Sequence, residues 1–161
     1  MYIIYGLIFI IFLAIDQITK YFAVAFLQGK PSVHLIGDFL RFTYVENRGA
    51  AFGILQNQRM FFIISTIVLV AFLVYLIVFN KKVTNATKLT LSLVLSGAIG
   101  NFIDRLRLGY VIDFVDVRFG NFYDFPVFNV ADSCLVVGVI ILVILILFNK
   151  FEKSEIINGW N

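Results

Sequence analysis

One cysteine and one histidine are all that a chain of 161 residues offers to thiol or metal chemistry. With Cys134 alone no intrachain disulfide can form, and its place in an apolar run fits packing rather than reactivity. His34 stands beside Pro31 in a loop-like stretch, and one His plus one Cys fall short of the usual ligand set of a zinc site. No metal and no cofactor is expected. Charge is scarce too: 14% of the residues are charged against 61% hydrophobic, which is not the balance of a soluble globular domain. The net charge of +3 is spread over scattered basic residues, so no nucleic-acid surface is indicated, and contact with lipid headgroups accounts for it. Internal repeats, low-complexity tracts and Gly/Ser-rich linkers are also missing. The chain therefore reads as a single domain over residues 1–161.

What the sequence has instead is long apolar runs. Met60 to Phe79 is twenty residues without a charge, and at about 1.5 Å per residue it covers about 30 Å, the hydrocarbon thickness of a bilayer. Val130 to Phe148 carries a charge only at Asp132, near its start. A stretch from about Thr87 to Ile103 is shorter, smaller-sided and more polar. The first segment, Tyr2 to Leu27, superficially matches a signal peptide because its apolar run leads into Ala23-Val24-Ala25, a small-residue pattern like a cleavage site. No Lys or Arg precedes that run, however, and Asp16 and Lys20 interrupt it, which favours a retained helix. The expectation is a mainly α membrane protein with four transmembrane helices, at about 2–27, 60–79, 87–104 and 130–148. The segments of about 28–59 and 105–129 then lie outside the bilayer on one side, as a small β-containing cap.

Four spans put both termini on the same side of the membrane. Lys81, Lys82 and Lys88 crowd the second loop, and Lys150 and Lys153 follow the last helix, so basic density favours cytoplasmic termini although the raw total of Lys and Arg does not. Leu40 to Val45 alternates aromatic and branched residues and predicts a strand; Val111 to Phe119 predicts a second. Gly120-Asn121 signals a turn, after which Phe122 to Phe128 runs aromatic-rich through Pro126 into the last helix. Phe39, Phe52, Phe119, Phe122 and Phe125 suit an aromatic layer at the interface.

The polar residues are few enough to be weighed one by one. Gly97, Gly100, Asn101 and Asp104 share one face of the third helix, where small residues permit close contact and Asn101 can bond across it; Asp104 could pair with an arginine. Asp16 and Lys20 are spaced i,i+4 in the order that favours an ion pair, and such a pair must face protein or water. Asn129 lies one turn before Asp132, as an N-cap or as a group that orients a neighbouring carboxylate.

Asp113 and Asp132 stand at the edges of apolar stretches, where a mid-helix carboxylate costs roughly 2.5–3.5 kcal/mol on insertion scales. Held about 3 Å apart, two carboxylates cannot both ionise, so one keeps a proton while the other takes one from a bound water. Such a pair can hydrolyse an amide by acid and base catalysis. Other readings stay open at this point. Asp132 could merely cap a helix while Asp113 pairs with Arg118 or Arg107. Asp16, Asp104 and Asp132 could serve a proton-coupled or cation transporter. Lys88 and Ser92, one turn apart, could form a serine-lysine hydrolase.

Five ordered blocks carry a resemblance over nearly the whole chain: Asp16-Gln17-Ile18-Thr19-Lys20, Asn47-Arg48-Gly49-Ala50-Ala51-Phe52-Gly53, Gly97 to Arg105, Val111-Ile112-Asp113-Phe114, and Phe128-Asn129-Val130-Ala131-Asp132. The chain resembles the lipoprotein signal peptidase (signal peptidase II) family of intramembrane aspartic peptidases. The resemblance implies Asp113 and Asp132 as the catalytic dyad, with Asn47, Gly49, Asn101, Asp104, Arg105 and Asn129 lining or shaping the site and Asp16 and Lys20 in support. It also implies a substrate, a prolipoprotein whose Cys already carries a diacylglyceryl group, cut on the amino side of that Cys at the outer face of a bacterial plasma membrane, with cytoplasmic termini. Membrane lipids are the other implied partner, and a monomer is expected. Ser96, where the family commonly has a small glycine, is a mild departure that removes no functional group.

Overall fold

The computed structural model describes residues 1–49, 54–120 and 122–153. Four helices, α1 (Tyr2–Leu27), α2 (Arg59–Val78), α3 (Asn85–Arg107) and α4 (Val130–Leu147), are each long and apolar enough to cross a membrane. Strands β1 (Val33–Ile36), β2 (Leu40–Asn47), β3 (Val111–Phe119) and β4 (Tyr123–Asp124) form one antiparallel sheet in sequence order. Four spanning helices with a small β element is thus the observed architecture. β1 carried no period-2 signal and contains His34, whose ring meets exposed Asp38 at 3.1 Å.

The least apolar helix is the central one. α3 packs against α1, α2 and α4 and buries twelve residues, including Lys88, Thr90, Ser92, Ser96, Asn101 and Asp104. α1, α2 and α4 turn rows of Ile, Val, Leu and Phe outward, as helices facing acyl chains must. This division explains why α3 alone can be polar: its side chains are solvated by protein.

Close approach between α3 and its neighbours depends on glycine. A Cβ at Gly100 would stand 2.5 Å from Asp16 Oδ2 on α1, and one at Gly97 would overlap the backbone of Ala131 on α4. Gly138 makes the reciprocal gap on α4, opposite Val94.

Each end of the bundle is tied differently. At the start of α3, Thr84 accepts from Thr87 N–H as N-cap, and the Thr87 hydroxyl donates to Phe151 O at 3.0 Å, strapping the segment after α4 beneath it. Lys88 lies here, 5.7 Å from the Tyr2 ring, while the Ser92 hydroxyl donates to the Lys88 carbonyl at 2.8 Å. At the other end the sheet sits on α1 and α3. Val45 pairs with Asp113 and Asn47 with Val111, after a bulge between Phe42 and Val45. Val111 to Phe114 are all buried rather than alternating: Ile112 and Phe114 pack with Ala23 and Leu27 of α1, Asp113 is held by Asn47 and Asn129, and Phe128 bridges to Val115 along the strand's edge. Of the expected aromatic layer, Phe39 and Phe119 meet edge to face, Phe122 and Phe125 are exposed, and Phe52 lies outside the described residues. Asn121 of the turn lies outside them as well.

Candidate active site

Three elements converge where the sheet meets the bundle. β3 delivers Asp113 from its third residue, α4 delivers Asp132 from its first turn, and α3 delivers Asn101, Asp104 and Arg105 from its last two turns. Asn129 is the N-cap of α4: its side-chain oxygen accepts from Asp132 N–H at 2.9 Å, and Asp132 Oδ2 accepts from Asn129 N–H at 3.2 Å. That reciprocal capping box fixes Asp132 in the first turn. Helix capping and orientation of a carboxylate, set apart in the sequence as alternatives, are one arrangement here.

Three asparagines hold the two carboxylates, and Asn129 touches both. Asp113 Oδ1 accepts from Asn129 Nδ2 at 2.7 Å, and its Oδ2 accepts from Asn47 Nδ2 at 2.9 Å. Asp132 Oδ1 accepts from Asn101 Nδ2 at 2.7 Å. Asn129 Nδ2 also lies 3.1 Å from Asn101 Oδ1, so the amides link the two acids from behind. Arg118 turns away from Asp113, toward Asp116 and Asp124. Burial, and then the charge of Asp132, raise the Asp113 carboxyl to about 7 against the opposing pull of Asn47 and Asn129.

Beneath this layer lies a buried charged set. Lys20 Nζ is 3.0 Å from Asp16, 2.9 Å from Asp104 and 3.0 Å from Asn101 Oδ1. The expected Asp16–Lys20 pair therefore forms, and Asp104 meets this lysine where an arginine had been the expected partner. The reason is position: Asp104 faces inward with Asn101, while its Oδ2 also takes the N–H of Ile112 at 3.2 Å. Asp16 Oδ1 accepts from Ala131 N–H at 2.9 Å, so one carboxylate ties α1 to the first turn of α4.

Asp113 and Asp132 open into one cavity of about 430 Å³, which Asn47, Gly49, Asn101 and Arg105 also line. Apart from Ser133, the rest of its wall is apolar, from Val111 on β3, from Phe125, Pro126, Val127 and Phe128 before α4, and from Leu135, Val136 and Val137 on it. Asn129 and Asp104 are not in that wall; they act from behind it, Asn129 with no exposed surface. Arg105 spans a gap, with Nη2 3.3 Å from Gly49 O and its guanidinium 4.6 Å from the Phe62 ring. Ala50 to Gly53 of the same block lie outside the described residues.

Several contributors gave no sequence signal. Arg59 donates to the carbonyls of Arg105 and Leu106 at 2.8 Å each, capping the C-terminus of α3 from the start of α2. Gln17 donates to Asp16 at 3.1 Å, and its place inside a matched block was the only hint of it. The Val127 and Phe128 wall read as a connection into the last helix.

Residues 8–148 match the family described as signal peptidase (SPase) II. The chain is 51% identical over 141 residues to a lipoprotein signal peptidase of Caldanaerobacter subterraneus subsp. tengcongensis, covering 87% of this chain and 92% of that one. It is 40% identical over 159 residues to a lipoprotein signal peptidase of Enterococcus faecalis, covering 99% and 97%. A solved structure described as a bacterial membrane enzyme, obtained by the in meso method at 2.3 Å resolution, superposes with a TM-score of 0.81 at 41% identity, over 94% of this chain and 93% of that one. With a match that runs from α1 to the end of α4, this chain belongs to the signal peptidase II family and is a peptidase of bacterial membranes.

Proposed function

We propose that the chain cleaves the signal peptide of diacylglyceryl-modified bacterial prolipoproteins on the amino side of the lipid-modified Cys, as an aspartic endopeptidase with Asp113 and Asp132 as its dyad. The observation that carries this reading is the wall of a single cavity: two carboxylates beside Asn47, Asn101 and Arg105 at a polar end, continuous with apolar surface that acyl chains can occupy. The names of the relatives supply the substrate class.

Two carboxylates facing one cavity support this chemistry. One dyad carboxylate holds a proton and the other accepts one from a water lying between them. The hydroxide so formed attacks the scissile carbonyl carbon while the protonated carboxyl donates to the carbonyl oxygen. Collapse of the tetrahedral gem-diol breaks the C–N bond: the proton first taken from water passes to the amine that leaves, and one gem-diol hydroxyl returns its proton to the carboxylate that had donated it, restoring the singly protonated dyad. Asp113 raised to about 7 suits a group that holds or releases a proton near neutrality. Asp16 and Asp104 are spent on Lys20 in buried pairs, which speaks against the transporter reading.

In this reading the dyad end of the bundle faces outward, and the end with Lys81, Lys82, Lys150 and Lys153 faces the cytoplasm, with both termini. The chain works as one domain and as a monomer. The test is incubation of the purified protein, in detergent, with a lipid-modified prolipoprotein, beside Asp113→Asn and Asp132→Asn. Cleavage by the parent and none by either variant, both still folded, is expected. Turnover retained by either variant would defeat the dyad.

A further inference from the structure

Lys20 makes one bond more than ion pairing requires. Its ammonium, 2% exposed, already faces two carboxylates, and its third contact is the neutral side-chain oxygen of Asn101 at 3.0 Å. An ammonium carries three donors and no acceptor, so Asn101 must present its oxygen to α1 and its NH2 to α4. There the NH2 meets Asp132 Oδ1 at 2.7 Å. The neighbouring amide is polarised in the same way, since a backbone N–H, also a pure donor, holds Asn129 Oδ1 and aims its NH2 at Asp113. Donor-only groups thus set the direction of both amides. Were Asn101 turned over, its oxygen would face Asp132 Oδ1, an arrangement tolerated only with a proton between them.

We propose that Lys20 is a positioning residue for the reaction: acting through the Asn101 amide, it holds Asp132 as a hydrogen-bond acceptor, in the state and rotamer that can receive a proton from water. The role rests on the dyad assigned above. It goes beyond structural support, because neutralising Asp16 and Asp104 needs only the charge of Lys20, whereas polarising Asn101 needs a donor aimed at Asn101 Oδ1. Among the described residues that oxygen has two donors, Lys20 and Asn129; only Lys20 is charged, and the Asn129 NH2 is shared with Asp113 Oδ1 and Ile112 O, so Lys20 is the stronger hold on Asn101.

The test uses the full chain in detergent with a lipid-modified prolipoprotein. Lys20→Met is made alone and together with Asp16→Asn and Asp104→Asn, which removes the carboxylates left uncompensated. A folded variant is expected to lose kcat by about tenfold or more with KM held within about twofold. Adding Asn101→Ala is expected to cause no further loss, because both changes break the same link. Lys20→Arg, still a pure donor, should recover part of the rate. Wild-type kcat in a folded Lys20→Met variant, or losses that multiply when Asn101→Ala is added, would overturn the proposal. Failure of both Lys20→Met variants to fold would overturn it too, in favour of a lysine needed only for assembly. Asp113→Asn and Asp132→Asn run alongside: turnover in those sinks the dyad itself, whereas their silence beside an unaffected Lys20→Met sinks the positioning role alone.

Discussion

Asn129 donates to Asp113 Oδ1 at 2.7 Å from the N-cap of the very helix that carries Asp132. One residue therefore ties the start of β3 to the start of α4. Asn129→Asp separates its two duties, because aspartate still caps while it loses the NH2 and adds a third acid. The cap itself is kept, but a buried oxygen would then face Asp113 Oδ1, Asn101 Oδ1 and Ile112 O with no donor between them, so a stability loss of about 1–3 kcal/mol is expected. Turnover should fall roughly ten- to a hundredfold, the worth of about 1.5–3 kcal/mol for a bond to a charged group. Asn129→Ala should add a cap loss of about 1 kcal/mol to a similar loss of rate. Thermal unfolding and cleavage rates on the same detergent samples decide it; equal turnover in Asn129→Asp and the parent would reduce Asn129 to a cap.

Asp113 lends the protein a pH dependence whose sign is fixed by its direction of shift. The folded state raises its carboxyl from 3.8 to about 7, by burial first and the Asp132 charge second. A group raised in this way adds stability that is fully present below its unfolded value and is lost as pH rises through its folded value. Unfolding should therefore become easier as pH rises from about 4 to about 7, and Asp113→Asn should flatten that slope. Cleavage is expected to show a limb near the same value. Asn47 pulls the carboxyl down, so Asn47→Ala should move that limb to higher pH; a shift to lower pH would contradict the bond.

How far the sequence revealed this site depends on what kind of signal each residue leaves. Asp113, Asp132, Asn101 and Asn129 were visible because polar groups in apolar runs are costly and few. The four spans were visible for the complementary reason. Arg59, by contrast, sits where any helix flank could carry a cation, and nothing local tells that its target is the end of α3. The partner of Asp104 was missed because Lys20 is remote in sequence, and only the packing of α1 on α3 brings them together. β1 escaped because Val33 to Ile36 is short and fully exposed, so no buried face imposed alternation.

Gly100 tests that packing directly. In Gly100→Ala the new methyl would stand 2.5 Å from Asp16 Oδ2 and 3.2 Å from the Ala131 Cβ. Asp16 cannot yield without loosening Lys20 or Ala131 N–H, so a loss of about 1–3 kcal/mol is expected. Gly6→Ala, where a Cβ would meet nothing within 4 Å, should be neutral or slightly stabilising. Thermal unfolding of the two variants in the same detergent makes the comparison, and an equal midpoint would show that α1 and α3 do not depend on this gap.

Arg59 and Arg105 stand beside each other yet should fail in different ways. Arg59 satisfies two carbonyls at the end of α3, so Arg59→Ala leaves them to water or without a donor and is expected to cost about 1–2 kcal/mol of stability. Arg105 lines the cavity and holds Gly49 only through a bond of 3.3 Å, while its stacking on Phe62 is worth about 0.5–2 kcal/mol. Its removal should therefore act on the cavity wall, raising KM several-fold more than it lowers kcat. Measured together, the pair should cross over, with Arg59→Ala the less stable protein and Arg105→Ala the weaker binder of substrate. If Arg105→Ala instead matches the parent in both KM and unfolding, then the wall of the cavity is complete without it, and Gly49 is held by the Asn47 side chain, whose oxygen takes the Gly49 N–H at 2.9 Å.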